Sequence, residues 1–285
     1  MKAWLIVNSF MKQEKFINLY EMLSLAFKKH DVNLEIKTAK GISLKVGEIM
    51  LDKPDFAIFW DKDIHLAQRL ESQGIKLFNN ARAVELCDNK ILMYQELAKK
   101  GIKIPQTFIA PKTFEGLGYH NLSFVDDVVK QIGYPFIIKE AYGSFGEQVY
   151  LINDKQELEK VIHRIGYKDF LMQEYIEESK GRDVRINVVG KQMIVSMLRE
   201  NKEDFRSNIS SGGHGQYFLP PQEYIDLAIK AVSALDLDFA GVDVLFGKDG
   251  PILCEVNSNP QFKSTLDATG VNLADHIAIY ILKNL

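Results

Sequence analysis

The chain has 285 residues, 46% hydrophobic and 26% charged, with a net charge of −3. That length suits two or three small packed cores rather than one, and the charge balance excludes a bulk electrostatic attraction to nucleic acid or an anionic membrane. Cys87 and Cys254 are the only cysteines and form no CxxC pair, which argues against a disulfide framework or zinc site and for reduced thiols in a cytoplasmic protein.

The apolar run Ala3–Val7 is shorter than a signal-peptide core, and no stretch approaches the ~18 apolar residues of a membrane span. That run reads as a buried parallel strand. Phe16, Leu19, Tyr20, Leu23 and Phe27 then recur at helical spacing. Residues 34–38, 56–60 and 75–78 are further strands, with a short helix around Leu66 and Leu70. Strands alternating with helices predict a parallel sheet covered on both faces.

Residues 79–88 read as a polar connection, after which Asp88 is placed to cap a helix running to Lys100 and closed by Gly101. A strand over 107–110, a helix from Ser123 to near Gly133, strands over 135–140 and 148–152, a helix over 154–165 and a strand over 170–174 follow. Further on, strands 184–189 and 192–198 meet in a tight hairpin at Gly190-Lys191. Residues 200–215 read as one long polar loop, of the kind that often carries function. A helix over 221–235, strands 240–246 and 251–256, and a terminal helix from Leu273 complete the chain.

Four clusters carry chemistry. Lys139 at the end of an apolar strand precedes the glycine-bearing turn 141–147; glycines let backbone N–H groups approach phosphate oxygens, and lysine adds a point charge. It lacks the Gly-Lys-Ser/Thr ending of a Walker A loop, and by itself it also reads as a plain hairpin turn. Asp243, Glu255 and Asn257 supply hard oxygen ligands suited to Mg²⁺ if their strands pair; the acids sit between apolar neighbours, where burial without a partner is costly. Arg206, in the loop Asp204-Phe-Arg-Ser-Asn208, suits charge stabilisation on a transferring phosphoryl or carboxylate group, or simply a solvated surface loop. Gln173-Glu-Tyr-Ile176 with Asp183 beyond it fits a strand end for an adenine edge and an acid for ribose, or a segment crossing between domains.

In order, Gly181-Arg-Asp-Val-Arg185, Asp204-Phe-Arg-Ser-Asn208 with Gly212-Gly213, Ala240-Gly-Val-Asp243 and Glu255-Val-Asn257 resemble the ATP-grasp superfamily, nearest to its RimK-like glutamate ligases. The resemblance covers residues 88–285. It implies an α/β chain with α+β character at its C-terminal end: an N-terminal parallel-sheet βαβ domain (1–87), a central subdomain with the glycine lid (88–172) and a C-terminal subdomain with the metal site (173–285). It implies that Lys90 and Lys139 contact ATP phosphates, that Gly143, Ser144 and Gly146 form the lid, that Glu174 and Tyr175 line the adenine site, and that Asp183 holds the ribose. Arg206 would stabilise the acyl phosphate and tetrahedral intermediate, with Arg199 and Asn208 as helpers. Asp243, Glu255 and Asn257 would hold two Mg²⁺ or Mn²⁺ ions. The lid departs from the family pattern at Gln148, where a glycine is usual, and Ser210 and Ser211 stand where many relatives carry a basic residue.

The activity so implied is ligation: a carboxylate donor becomes an acyl phosphate, and an amine acceptor, such as the amino group of glutamate, displaces the phosphate. The product would be an amino acid joined to a protein tail, peptide or cofactor. Competing readings on the same residues are a phosphotransferase acting on a hydroxyl and a non-catalytic nucleotide-binding module. Relatives that dimerise or form tetramers add the option of a homo-oligomer.

Overall fold

The computed structural model describes residues 1–42, 45–144, 146–209 and 212–285. The first sheet forms as its apolar runs predict. Strands β1 (Ala3–Val7), β2 (Leu34–Lys37), β3 (Phe56–Trp60) and β4 (Lys76–Phe78) lie parallel in the order β2-β1-β3-β4. β1 and β3 are buried at every position, because both faces are covered. Leu5, Phe56 and Ile58 pack under helix α1 (Glu14–Lys28), while Ile6, Ala57 and Phe59 face helix α2 (Ile64–Ser72).

Residues 79–88 are not a plain connection. Helix α3 (Ala81–Asp88) occupies them, capped by Asn80, whose Oδ1 accepts from the Ala83 N–H at 2.8 Å. Ala83, Val84, Leu86 and Cys87 are buried, so a short apolar stripe hides among the polar residues. Helix α4 (Lys90–Lys99) is capped by Asn89 and not by Asp88; Asn89 Oδ1 accepts from the N–H groups of Ile91 and Leu92. Asp88 instead pairs with Lys62 at 2.6 Å.

The second sheet is antiparallel. It comprises β5 (Thr107–Ile109), β6 (Phe136–Glu140), β7 (Val149–Ile152) and β8 (Phe170–Glu174), in the order β5-β8-β6-β7. Helices α5 (Ser123–Ile132) and α6 (Lys155–Ile165) cover the face that carries Phe136, Ile138, Phe170 and Met172. Strand alternation turns Ile137 and Lys139 to the opposite face.

The third sheet, also antiparallel, runs β11-β10-β9-β12-β13, from β9 (Arg182–Val189), β10 (Gln192–Glu200), β11 (His214–Tyr217), β12 (Phe239–Gly247) and β13 (Gly250–Asn257). Val184, Ile186, Val188, Ala240, Val242 and Val244 pack against α4 and helix α7 (Gln222–Ala234). The alternate residues Asp183, Arg185, Asn187 and Asp243 therefore lie on the other face. Besides α3, two further elements escaped the sequence reading. β11 falls partly within the expected loop, and its exposed edge position leaves it no apolar alternation. The short helix α8 (Lys263–Thr269) precedes the expected terminal helix α9 (Leu273–Lys283). The Ser210 and Ser211 departures lie outside the described residues.

Candidate active site

The free faces of the second and third sheets enclose a cleft of about 120 Å³ in water-accessible volume. Every residue given a phosphate, lid, nucleotide, catalytic or metal role from the sequence lines it except Asn257.

Its floor follows from strand register. Asp243 on β12 stands opposite Arg185 on β9 and Glu255 on β13. Asp183 on β9 stands opposite Arg199 on β10. These side chains form a buried network. Arg185 clasps Asp243 through two hydrogen bonds, the second at 2.8 Å, and Arg199 reaches Asp243 at 2.9 Å. Arg199 also donates from Nε to Asp183 at 2.7 Å, with a second bond from its other nitrogen. Burial alone would raise the Asp243 carboxyl, but the two guanidinium groups outweigh it and hold it below the usual carboxylate range. Asp183 thus faces an arginine in this arrangement.

Glu255 is partly exposed, and its carboxylate lies 3.5 Å from the buried Lys90 ammonium. Asn257 donates to the Gly241 carbonyl at 3.5 Å. Among the described residues no three His, Cys, Asp or Glu side chains cluster as a metal cage. Carboxylate and amide oxygens suit a hard cation, although in this arrangement both oxygens of Asp243 are engaged by Arg185 and Arg199. Asp243 and Glu255 are cross-strand neighbours, Asn257 follows two positions on along the same face, and Glu255 is only partly covered.

Lys139 stands one residue before the end of β6 with its ammonium buried. It donates to the Tyr94 hydroxyl at 2.9 Å and lies 4.0 Å from the Cys254 sulfur. Burial works against that charge, while the hydrogen bond to Tyr94 and the negative charge of Glu255 favour it. Burial also pushes the Cys254 thiol up to about 11, so it remains protonated.

The lid closes over these groups. Lys90 donates to the Gly143 carbonyl at 3.0 Å, Lys62 to the Ser144 hydroxyl at 3.1 Å, and Arg206 to the Gly146 carbonyl at 2.6 Å. Gln148 accepts from the Ser144 N–H at 3.2 Å and fills the space beside Gly143, where an added Cβ would fall 2.4 Å from its Oε1. The unusual glutamine thus braces the arm of the lid. Arg206 is held from the other side by Asp204, with bonds of 2.7 to 3.2 Å. Asn208 sits under Gly146. At the far end, Glu174 accepts from the Gln106 N–H at 2.8 Å, and the Tyr175 hydroxyl is buried without a partner.

Gly181 fixes the loop that carries Arg206. Its φ is +64°, and an added Cβ would lie 2.2 Å from the Asn201 carbonyl oxygen. Gly181→Ala should therefore destabilise the fold by about 2 kcal/mol and loosen that loop. A denaturant midpoint equal to the unaltered protein's would contradict this.

Sequence reading missed Lys62, Tyr94 and the apolar wall of Ile137, Val149 and Leu245. The wall had a signal. Ile137 and Leu245 lie two residues from Lys139 and Asp243, hence on the same strand faces, and Val149 pairs across from Lys139. Lys62 had none, for its contact with the lid spans distant sequence.

Residues 87–281 match the RimK-like ATP-grasp domain family. The chain is 33% identical over 274 residues to a Mycoplasma pneumoniae protein named as the MG012 homolog, covering 94% of this chain and 93% of the relative. It is 34% identical over 256 residues to beta-citrylglutamate synthase B of Danio rerio, covering 86% of this chain but only 62% of that longer relative. The fold matches the RimK domain ATP-grasp protein of Sphaerobacter thermophilus with a TM-score of 0.76 at 21% identity, over 98% of this chain and 99% of that one. With its mixed parallel and antiparallel sheets folded as in that structure, this chain belongs to the RimK-like ATP-grasp family and is an ATP-dependent ligase that forms carbon–nitrogen bonds.

Proposed function

We propose that the cleft binds ATP with a carboxylate donor and joins that carboxylate to the amine of an amino acid, glutamate first among the candidates. One observation carries the reading: three cations, Lys90, Lys139 and Arg206, converge with Asp243 and Glu255 in one cleft under a glycine lid. The name of the zebrafish relative supports glutamate as a substrate.

In this reading Lys90 and Lys139 neutralise the phosphates. The backbone N–H groups around Gly143, Ser144 and Gly146 approach them from above. The apolar wall of Ile137, Val149 and Leu245 takes the adenine ring, whose edge meets the strand end at Glu174 and Tyr175. Asp183 then faces the ribose, with Arg199 and Asn208 as helpers. Asp243, Glu255 and Asn257 would hold two divalent ions, Mg²⁺ or Mn²⁺, which offset phosphate charge when bound.

A donor carboxylate oxygen attacks the γ-phosphorus, the bond to the bridging oxygen breaks, and ADP leaves. The amine nitrogen then attacks the acyl carbon, and phosphate departs with the C–O electron pair and takes up the amine proton. Arg206 stabilises the charge that develops on the oxygens. The closed lid excludes water that would hydrolyse the acyl phosphate. No side-chain nucleophile is required.

Arg206→Lys should lower kcat about 100-fold with little loss of stability, because one ammonium cannot reproduce the forked contacts. Steady-state kinetics beside thermal melting would check it, and kcat within a factor of two would remove Arg206 from catalysis.

We further propose lobes at 1–87, 88–172 and 173–285, and a cytoplasmic site of action, supported by two unpaired cysteines. Among the described residues no helix is long and apolar enough to cross a membrane. The test of the whole reading is ADP release across pairs of carboxylates and amino acids, with mass spectrometry of the products. A new amide mass containing glutamate supports it. A phosphorylated alcohol without an amide would replace it with phosphotransfer.

A further inference from the structure

Helix α4 presents Lys90 and Tyr94 one turn apart on one face, toward the cleft floor. Lys90 reaches the lid and Glu255 directly. Tyr94 touches the site only through others. Its hydroxyl oxygen accepts from the Lys139 ammonium at 2.9 Å, and its O–H donates to the Cys254 carbonyl.

Both contacts are structurally specific. The register slips between Asp243 and Val244, so that Glu255 and Leu253 have partners on β12 and Cys254 has none. That bulge leaves the Cys254 carbonyl outside the ladder, facing Tyr94. A phenol has one proton to give and lone pairs to accept with; here the proton goes to the Cys254 carbonyl and a lone pair meets the Lys139 ammonium, with the Gln173 amide also beside the oxygen. Burial pushes the phenol up, so it stays neutral and keeps its proton. Tyr94 thus ties Lys139 of the second sheet to the residue beside Glu255 in the third.

We propose that Tyr94 is a positioning residue: it holds the Lys139 ammonium at a set distance from Glu255, so that the cation and carboxylate of the floor meet the phosphates of ATP together. This rests on the assignment of the cleft to ATP.

The test is calorimetric binding of ATP and of adenosine to the full chain, for the unaltered protein and for Tyr94→Phe, Lys139→Met and the double variant. Phenylalanine keeps the buried ring and removes both hydrogen bonds, and melting curves confirm folding. Tyr94→Phe should weaken ATP about ten-fold, since a hydrogen bond to a charged group is lost. Adenosine, lacking phosphates, should bind unchanged. The double variant should bind ATP no more weakly than Lys139→Met, because Tyr94 acts through that lysine. Equal loss for ATP and adenosine would mean a packing role and overturn the proposal, as would additive losses in the double variant. If the unaltered protein failed to bind ATP, the functional reading itself would fall. If it bound and Tyr94→Phe matched it, only the positioning role would.

Discussion

Glu255→Gln should abolish measurable turnover, lowering kcat by about 1,000-fold, while the protein melts within a few degrees of the unaltered chain. The substitution keeps volume and hydrogen-bonding capacity and removes one negative charge. That charge is the accessible one on the floor. Asp243 is buried and matched by two arginines, whereas Glu255 is partly exposed and forms an ion pair with Lys90 at 3.5 Å. A group in that position is free to meet a cation that arrives with the nucleotide. Because Lys90 also donates to the Gly143 carbonyl, it keeps a partner when Glu255 is neutralised. The stability cost should therefore stay near 1 kcal/mol. ADP release at saturating ATP and amine, measured beside a melting curve, decides the matter. Unimpaired release would remove Glu255 from the chemistry, and a collapsed melting transition would make its role structural.

Arg199→Ala is expected to damage the fold rather than a single step. It would leave Asp183 with no guanidinium partner and Asp243 with only Arg185, both in buried surroundings. Removing one member of a buried ion network costs about 3–5 kcal/mol, because the remaining charges stay desolvated. For a chain of this size that lowers the melting temperature by about 10 °C. Adding Asp183→Asn should recover part of the loss, since it removes a carboxylate left without its partner. A melting temperature within 2 °C of the unaltered protein would refute the argument.

The same network sets a pH dependence. The Asp243 carboxyl is depressed in the folded state below its ordinary value of 3.8. Its contribution is therefore complete above that value and fades as pH falls through the lower folded one. Without Arg199 the depression is smaller, so the contribution should be smaller, and its loss, which starts near the same ordinary value, should be complete at higher pH. Denaturant midpoints from pH 3 to pH 7 would show it.

How far the sequence could be read varied by element. Continuous apolar runs such as Ala3–Val7 and Phe56–Trp60 marked buried parallel strands, because a strand covered on both faces has no polar side to show. Asp154 and Gly133 marked helix ends by the chemistry of their own side chain or backbone. Helix α3 stayed hidden because its stripe is only two turns long and is broken by Arg82 and Glu85. Strand β11 stayed hidden because its pairing with Met197–Glu200, rather than any apolar pattern of its own, makes it a strand.

The cleft was legible in part for the same reason. Glu255 and Asn257 are two apart on one strand, so their shared face follows from strand geometry alone. The turn after Lys139 showed its glycines directly. The sequence by itself thus determined the family, the parallel sheet and most of the polar lining of the cleft. Those are properties of short stretches, where spacing of two or of three to four residues already fixes which side chains share a face. Only the tertiary structure decided that Arg185 and Arg199 saturate Asp243, that Lys62 reaches the lid, and that Tyr94 joins Lys139 to Cys254. Each of these contacts depends on strand register or on an interface between segments far apart in the chain, and no local pattern encodes that distance.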